Sequence, residues 1–235
     1  VGAMDTLANG PYTLDVHTAS GTTSRTVTVV PATPVQLNSA SQSRTAKAGQ
    51  KVRLSGSLTS NGQPVTGGKV LLLTQWEDPC MDNGCGSGQS ANYIATAAVD
   101  ANGNWSAKGR VGATGPLVAQ YYGVGAYASA EADLGTVTTH WGVKAKAAKK
   151  TLAITTGPLR APKGTVATVA KKRGKTWKAV KRVTLNRLGK GRTKISAGQY
   201  RVSVPTVTLP DYYDSGAWDD QIVHEGTSKI VRVRR

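Results

Sequence analysis

Apolar positions along this chain recur at every second residue, and almost no window carries them at the i, i+3, i+4, i+7 spacing of an amphipathic helix. In "PYTLDV" the residues Tyr12, Leu14 and Val16 share one face; in "GPLVAQY" it is Leu117, Ala119 and Tyr121; in "GQYRVSV" it is Tyr200, Val202 and Val204. Each run is entered through a small or polar pair and a glycine ("ANG", "ATG", "SAG"), the sequence pattern of a half-buried strand that follows a turn. After a loop of variable length come "GTTSRTVTVV" from Gly21, "LGTVTT" from Leu134 and "GTSKIVRVR" from Gly226. A two-strand closing unit therefore occurs three times.

The segments between these units predict the remaining strands. "VVPATPVQ", Val29 to Gln36, is a proline-punctuated linker. From there the chain predicts an entry strand, a turn at Gly49, the strand "KVRLSGSL", a turn at Asn61 and Gly62, and the strand "GKVLLLTQW". "YIATAAV", the turn "DANGN" and "WSAKGRV" follow, before the closing pair that ends near Thr139. About seven short strands at turn spacings of roughly 8 to 12 residues are the pattern of an Ig-like sandwich. "GTVATVAKKRGKTWKAVKRVTLNRLGKGRTKI" then repeats strand, turn, strand, Gly-centred turn, strand in the same outline. The predicted organisation is residues 1–31 as the closing hairpin of an incomplete Ig-like unit, 35–139 as one Ig-like β-sandwich, and 141–235 as a second.

Composition agrees with an all-β chain. Val, Ala and Leu hold most apolar positions, Thr and Gly are frequent, Phe is absent, and 39% hydrophobic against 18% charged residues is enough to build cores. No run approaches the ~18 apolar residues of a membrane-spanning helix, so no membrane span is expected.

"TAKAGQKVRLSGSLTSNGQPVTGGKVLL", "AVDANGNWS" and the Gly-x-Tyr strand together resemble the bacterial Ig-like repeat domains of secreted and surface-attached proteins. The resemblance covers most of residues 35–139. It is looser from 140 to 235, where "WGVKAKAAKKTLAITTGPLRAPKG" departs from the expected entry strands. It implies tandem β-sandwiches serving as stalk, spacer or binding module, without catalysis, cofactor or fixed ligand.

Cys80 and Cys85 flank a Met-Asp-Asn-Gly turn that can bring their side chains within bonding distance, so a local disulfide is expected. That favours a secreted or cell-surface location. A zinc site would need two further ligands, and a calcium loop drawing on Glu77, Asp78, Asp82 and Asn83 offers few of the six or more oxygens calcium takes. No metal is expected.

Charge separates the two halves. Residues 1–140 hold 8 Lys and Arg against 8 Asp and Glu, whereas residues 141–235 hold 22 against 5, which is the whole net charge of +17. No acid occurs between Asp133 and Asp211. A basic domain attracts polyanions at long range in a salt-dependent way. The candidate contacts are Lys171, Lys172, Arg173, Lys175 and Lys178, continued by Lys181, Arg182, Arg187, Lys190 and Arg192. Trp177 among them could stack a base, but with Val180 and Val183 following it is expected in the core or at the sandwich edge. Nucleic acid is therefore the lesser candidate beside a cell-wall polymer, an acidic glycan or an acidic protein. The competing reading is a solvated face whose lysines guard sheet edges.

A second candidate is the acidic and aromatic loop "LPDYYDSGAWDDQIVHEG", with Asp211, Tyr212, Tyr213, Asp214, Trp218, Asp219 and Asp220. Tyr and Trp in end loops are frequent contact residues; the competing reading is that the acids neutralise nearby lysines. No nucleophile turn or phosphate loop is present, and His17, His140 and His224 stand apart in the sequence; no catalytic residues are expected. Finally, residues 5–30 form an apolar-faced hairpin too small to stand alone. It is expected to be covered by preceding strands, by the next domain, or by strand complementation from a partner. The reading from sequence is a non-catalytic extracellular stalk, adhesive or assembly module whose basic end docks a protein partner or a cell-wall polyanion.

Overall fold

A computed structural model describes residues 10–19, 21–77, 89–209 and 221–233. The first elements, β1 (Gly10–Thr18) and β2 (Gly21–Val29), pair antiparallel along their whole length, with Tyr12 opposite Val27 and Thr18 opposite Gly21.

The first sandwich is built from β3 (Gln36–Asn38), β4 (Arg44–Lys47), β5 (Gln50–Ser60), β6 (Gln63–Pro64) and β7 (Lys69–Glu77), continued by β8 (Gln89–Ala98), β9 (Asn104–Val111), β10 (Gly115–Tyr121) and β11 (Ala130–His140). One sheet runs β4-β11-β10-β7-β8; in the other, β5 pairs with β3, β6 and β9. The entry segment switches sheets: β3 is antiparallel to β5, whereas β4 runs parallel to β11. The chain crosses between the sheets from β4 to β5, β6 to β7, β8 to β9 and β9 to β10, the Greek-key plan of an Ig-like sandwich. Period-two burial explains the core. Val52, Leu54 and Leu58 of β5 and Trp105 of β9 face Leu72, Leu117, Tyr121 and Leu134 of the other sheet.

The second sandwich comprises β12 (Val143–Ala148), β13 (Thr151–Thr156), β14 (Val166–Arg173), β15 (Thr176–Thr184) and β16 (Lys190–Lys194), then β17 (Gly198–Val204), β18 (Val207–Leu209), β19 (Gln221–Val223), β20 (Gly226–Thr227) and β21 (Val231–Val233). Its sheets are β12-β13-β16 and β15-β14-β17, the latter closed by β20 and β21 along β17. This is the plan of the first sandwich, with β12, β13 and β16 in the places of β3, β5 and β9, and β15, β14 and β17 in those of β8, β7 and β10. The segment that departs from the expected entry strands supplies a tight hairpin, β12 to β13, turning on Lys149 at φ 53°. The closing strand is split: Ser228 sits between β20 and β21 and accepts the Val202 amide on its hydroxyl at 3.0 Å.

The repeat extends to single hydrogen bonds. In the first sandwich the Asp100 carboxylate accepts the amides of Asn102 and Asn104, both at 2.8 Å, while the Gly103 amide donates to the Asp100 carbonyl at 3.1 Å. In the second, the Asn186 side-chain oxygen accepts the amides of Leu188 and Lys190 at 2.9 and 3.1 Å, and the Gly189 amide donates to the Asn186 carbonyl at 2.9 Å. Gly103 and Gly189 take φ of 75° and 62°, which a Cβ would penalise. The two turns share a geometry, with asparagine in the place of the capping aspartate.

One hallmark occurs in the second sandwich at a position where the first has another residue. The Tyr200 hydroxyl donates to the Ser196 carbonyl at 2.9 Å, the tyrosine corner of Ig-like folds. The matching position of the first sandwich is Leu117, fully buried.

Candidate docking site

The sandwiches meet without a free linker. β11 ends at His140 and β12 begins at Val143; of the two residues between, Trp141 is 2% exposed and packs in the second core. Ala48, in the turn before β5, is buried in that same core. Backbone hydrogen bonds cross the junction at separate points: Leu159 amide to Ala48 carbonyl (2.9 Å), Thr114 amide to Ile222 carbonyl (2.9 Å), His224 amide to Thr139 carbonyl (2.9 Å). Gly49 adds a close approach, since a Cβ there would lie 2.6 Å from the Leu159 nitrogen. The histidines that stand apart in the sequence are partly brought together here: the rings of His140 and His224 lie 5.5 Å apart and tilted, and His140 Nδ1 is 3.0 Å from the Glu225 carbonyl. His17 remains separate, bonded to Thr22 at 2.7 Å.

The predicted basic residues do not form one surface. Lys171, Arg173 and Lys181 line an open cleft of about 1000 Å³ at the edge of the second sandwich, joined by Lys149, Lys150 and Lys194. Lys190 and Arg192 lie on the outer face of the β12-β13-β16 sheet. Lys172 is exposed opposite Trp177 on β14 and β15, and Arg182 is exposed beside Thr168. Lys175, Lys178 and Arg187 are exposed; Lys175 and Arg187 occupy turns.

On the β12-β13-β16 face the register makes a grid. Lys144, Thr155 and Lys190 form one row, Lys146, Ala153 and Arg192 the next, and Ala148, Thr151 and Lys194 the third. The five cations are all exposed. Two basic columns thus flank a floor of Thr and Ala, about 9.5 Å apart from the strand spacing and with roughly 6.6 Å between charges along a strand. Lys144, Lys146 and Lys194 escaped the sequence reading, although the i, i+2 spacing in "VKAK" and "RTK" was the available signal.

The cleft depends on a β-bulge. Between Val169 and Ala170 of β14 the register to β15 shifts, so that Lys181 opposes Val169, Ala179 opposes Ala170, and Val180 is left over. Consecutive strand residues normally point to opposite faces; here both Val180 and Lys181 line the cleft, as a bulge permits. Val180 is 38% exposed, whereas Val183, past the bulge, is 7%. Ile195, Ala197 and Tyr200 complete the lining. Lys171 is held in place, donating to Ser196 Oγ at 2.8 Å with its Nζ 5.6 Å from the Tyr200 ring centroid. The Lys149–Lys150 turn is tied to the cleft by the Ile195 amide, which donates to the Lys150 carbonyl at 2.8 Å.

Trp177 is half-buried at the exposed edge strand, with the Arg201 guanidinium 5.1 Å from its ring centroid. It is a sandwich-edge residue, and Arg201 occupies a ring face that a base would need.

Cys80 and Cys85 lie outside the described residues, as do Asp211, Tyr212, Tyr213, Asp214, Trp218, Asp219 and Asp220. The ends of that acidic loop are joined, since β18 and β19 pair antiparallel from Val207–Val223 to Leu209–Gln221. Among the described residues no group of three or more His, Cys, Asp or Glu is placed to hold a metal ion, and no helix is long and apolar enough to cross a membrane.

No protein-family model matches the sequence, and no curated protein matches it. Solved structures with a similar arrangement include the tetra-tandem repeat in the extending region of a large adhesion protein, 17% identical over 98% of this chain and 58% of that one, TM-score 0.31. The BSP domain of a biofilm associated protein is 10% identical over 85% of this chain and 29% of that one, TM-score 0.26. The fibronectin(III)-like modules of Clostridium thermocellum CbhA are 13% identical over 85% and 94%, TM-score 0.26. The chain spans less than two thirds of the first two. The Ig-like assignment rests on the chain's own strand order and register.

Proposed function

We propose that this chain is a non-catalytic structural and adhesive module of a secreted or cell-surface protein, a series of Ig-like sandwiches held at a fixed angle that presents a basic unit for docking. The observation that supports it is the junction. Domains joined by a flexible linker move independently by default. Here a buried tryptophan, a shared core residue and backbone hydrogen bonds at three separated points oppose that motion. A spacer needs that stiffness, because a flexible chain shortens its own reach. Nitrogen-15 relaxation on the chain tests it. One common tumbling time for both sandwiches is expected, and two independent times would sink the spacer reading.

The basic grid favours a second reading, that the docking partner is a linear polyanion such as a cell-wall polymer or acidic glycan. The grid's Thr and Ala floor offers no ring for stacking, which argues for a polymer without bases. Edge lysines also prevent sheet-to-sheet pairing, so the reading needs its own test. Retention on immobilised poly(glycerol phosphate) or heparin should fall steeply with salt. Replacing Lys146 and Arg192 by glutamine should lower the log–log salt slope by about 2. An unchanged slope would leave the lysines as edge guards.

A further inference from the structure

We propose that the cleft between β15 and β16 binds an amphiphile with an anionic head, a molecule that pairs a carboxylate, phosphate or sulfate with an aliphatic chain. This goes beyond the spacer and polyanion readings and depends on neither. Three independent features point to it.

First, the charge is of one sign. Lys149, Lys150, Lys171, Arg173, Lys181 and Lys194 converge from four chain segments, and no described carboxylate lines the cleft. Ordinary surfaces intersperse the two signs, and a ring of like charges around one opening raises the potential inside it. A group bearing negative charge offsets the mutual repulsion of the six.

Second, the floor is carbon. Val180, Ile195, Ala197 and Tyr200 line the cleft together with the cations, and the lysine stems add aliphatic wall. A purely ionic polymer gains nothing from such a floor, whereas an alkyl chain gains by burying it. The volume of about 1000 Å³ lies at the upper end of ordinary ligand pockets. Tyr200 is only 2% exposed, so the site offers no stacking platform and an aromatic base is the poorer fit.

Third, the site is built. The bulge aims Val180 and Lys181 together into the opening, and Lys171 is fixed by Ser196 and the Tyr200 ring. Ser196 is itself tied to Tyr200 through the tyrosine corner, so a hallmark of the fold holds one cation of the cleft in register. Fixing a charged side chain before binding reduces the ordering cost at binding.

The experiment uses the whole chain with dodecyl phosphate kept below its micelle concentration, followed by calorimetry and by methyl NMR of Val180 and Ile195. Saturable one-to-one binding with shifts at both methyls is expected, at least tenfold tighter than dodecanol or inorganic phosphate. Lys181→Glu, on an exposed position, should weaken binding tenfold or more, while Lys144→Glu on the neighbouring sheet face should leave it within twofold. Because Lys181→Glu could disturb β15, Val180→Ser serves as a second variant and should weaken dodecyl phosphate without changing inorganic phosphate. Equal affinity for inorganic phosphate would reduce the cleft to a bare anion site. Equal loss in Lys144→Glu would reduce it to general charge, and binding to anionic vesicles alone would reassign it to a membrane surface; each result overturns the proposal.

Discussion

The Leu159 amide donates across the junction to the Ala48 carbonyl at 2.9 Å, joining a turn of the first sandwich to the segment after β13 in the second. Gly49, the next residue, allows this approach. It takes φ 80°, and a Cβ would stand 2.6 Å from the Leu159 nitrogen.

Gly49→Ala should therefore cost more than its backbone alone. Gly62 is the control, with a similar φ of 76° and nothing within 4 Å of its Cβ position. Gly62→Ala should cost about 1 kcal/mol from the left-handed backbone. Gly49→Ala should cost that plus the broken contact, about 2–4 kcal/mol in all. Chemical denaturation gives the two values, and equal losses would show that the junction yields freely.

The paired turns make a substitution test. Asp100→Asn and Asn186→Asp exchange one side-chain acceptor for another in the same geometry and should each change stability by less than about 0.5 kcal/mol. Asp100→Ala and Asn186→Ala strip two backbone amides of their acceptor and should cost about 1–2 kcal/mol each. Denaturation midpoints of the four variants decide it.

Two tryptophans of the chain should respond differently. Trp141→Ala empties a buried site at the junction and should cost about 3–5 kcal/mol. Trp177→Ala removes a half-buried ring and its Arg201 contact, which should cost about 1 kcal/mol. A large loss at Trp177 would mean the ring is more deeply packed than its exposure indicates.

Alkaline pH should weaken the first sandwich through Tyr121. Burial pushes its hydroxyl, which has no hydrogen-bond partner, above the ordinary tyrosine value. The folded pKa is raised, so the stability held by the neutral phenol is complete below the unfolded value near 10. It is lost as pH rises from there through the folded value. Denaturation at pH 9 and pH 11 should show this loss in the parent and a smaller one in Tyr121→Phe.

Much of the strand plan was legible because period-two burial is local. Tyr200, Val202 and Val204 alternate with polar residues in the sequence and are buried in β17. The turn at "DANGN" was visible because asparagine and glycine announce it, while its counterpart at Asn186 was visible only as a glycine in a polar gap. The basic site was only half legible. Lys171, Arg173 and Lys181 could be picked from a charge run, but Lys149, Lys150 and Lys194 join them through pairings between segments that the run does not contain.

The sequence by itself determined an all-β chain with repeated closing strands and one strongly basic half, since alternation, turn residues and charge are properties of neighbours along the chain. Tertiary structure alone decided that Val180 lines a cleft, that Ala48 serves the second core, and which six cations share an opening. These outcomes follow from strand register and domain contact, where one extra residue in a ladder re-aims a side chain, and that energy is set by partners distant in sequence.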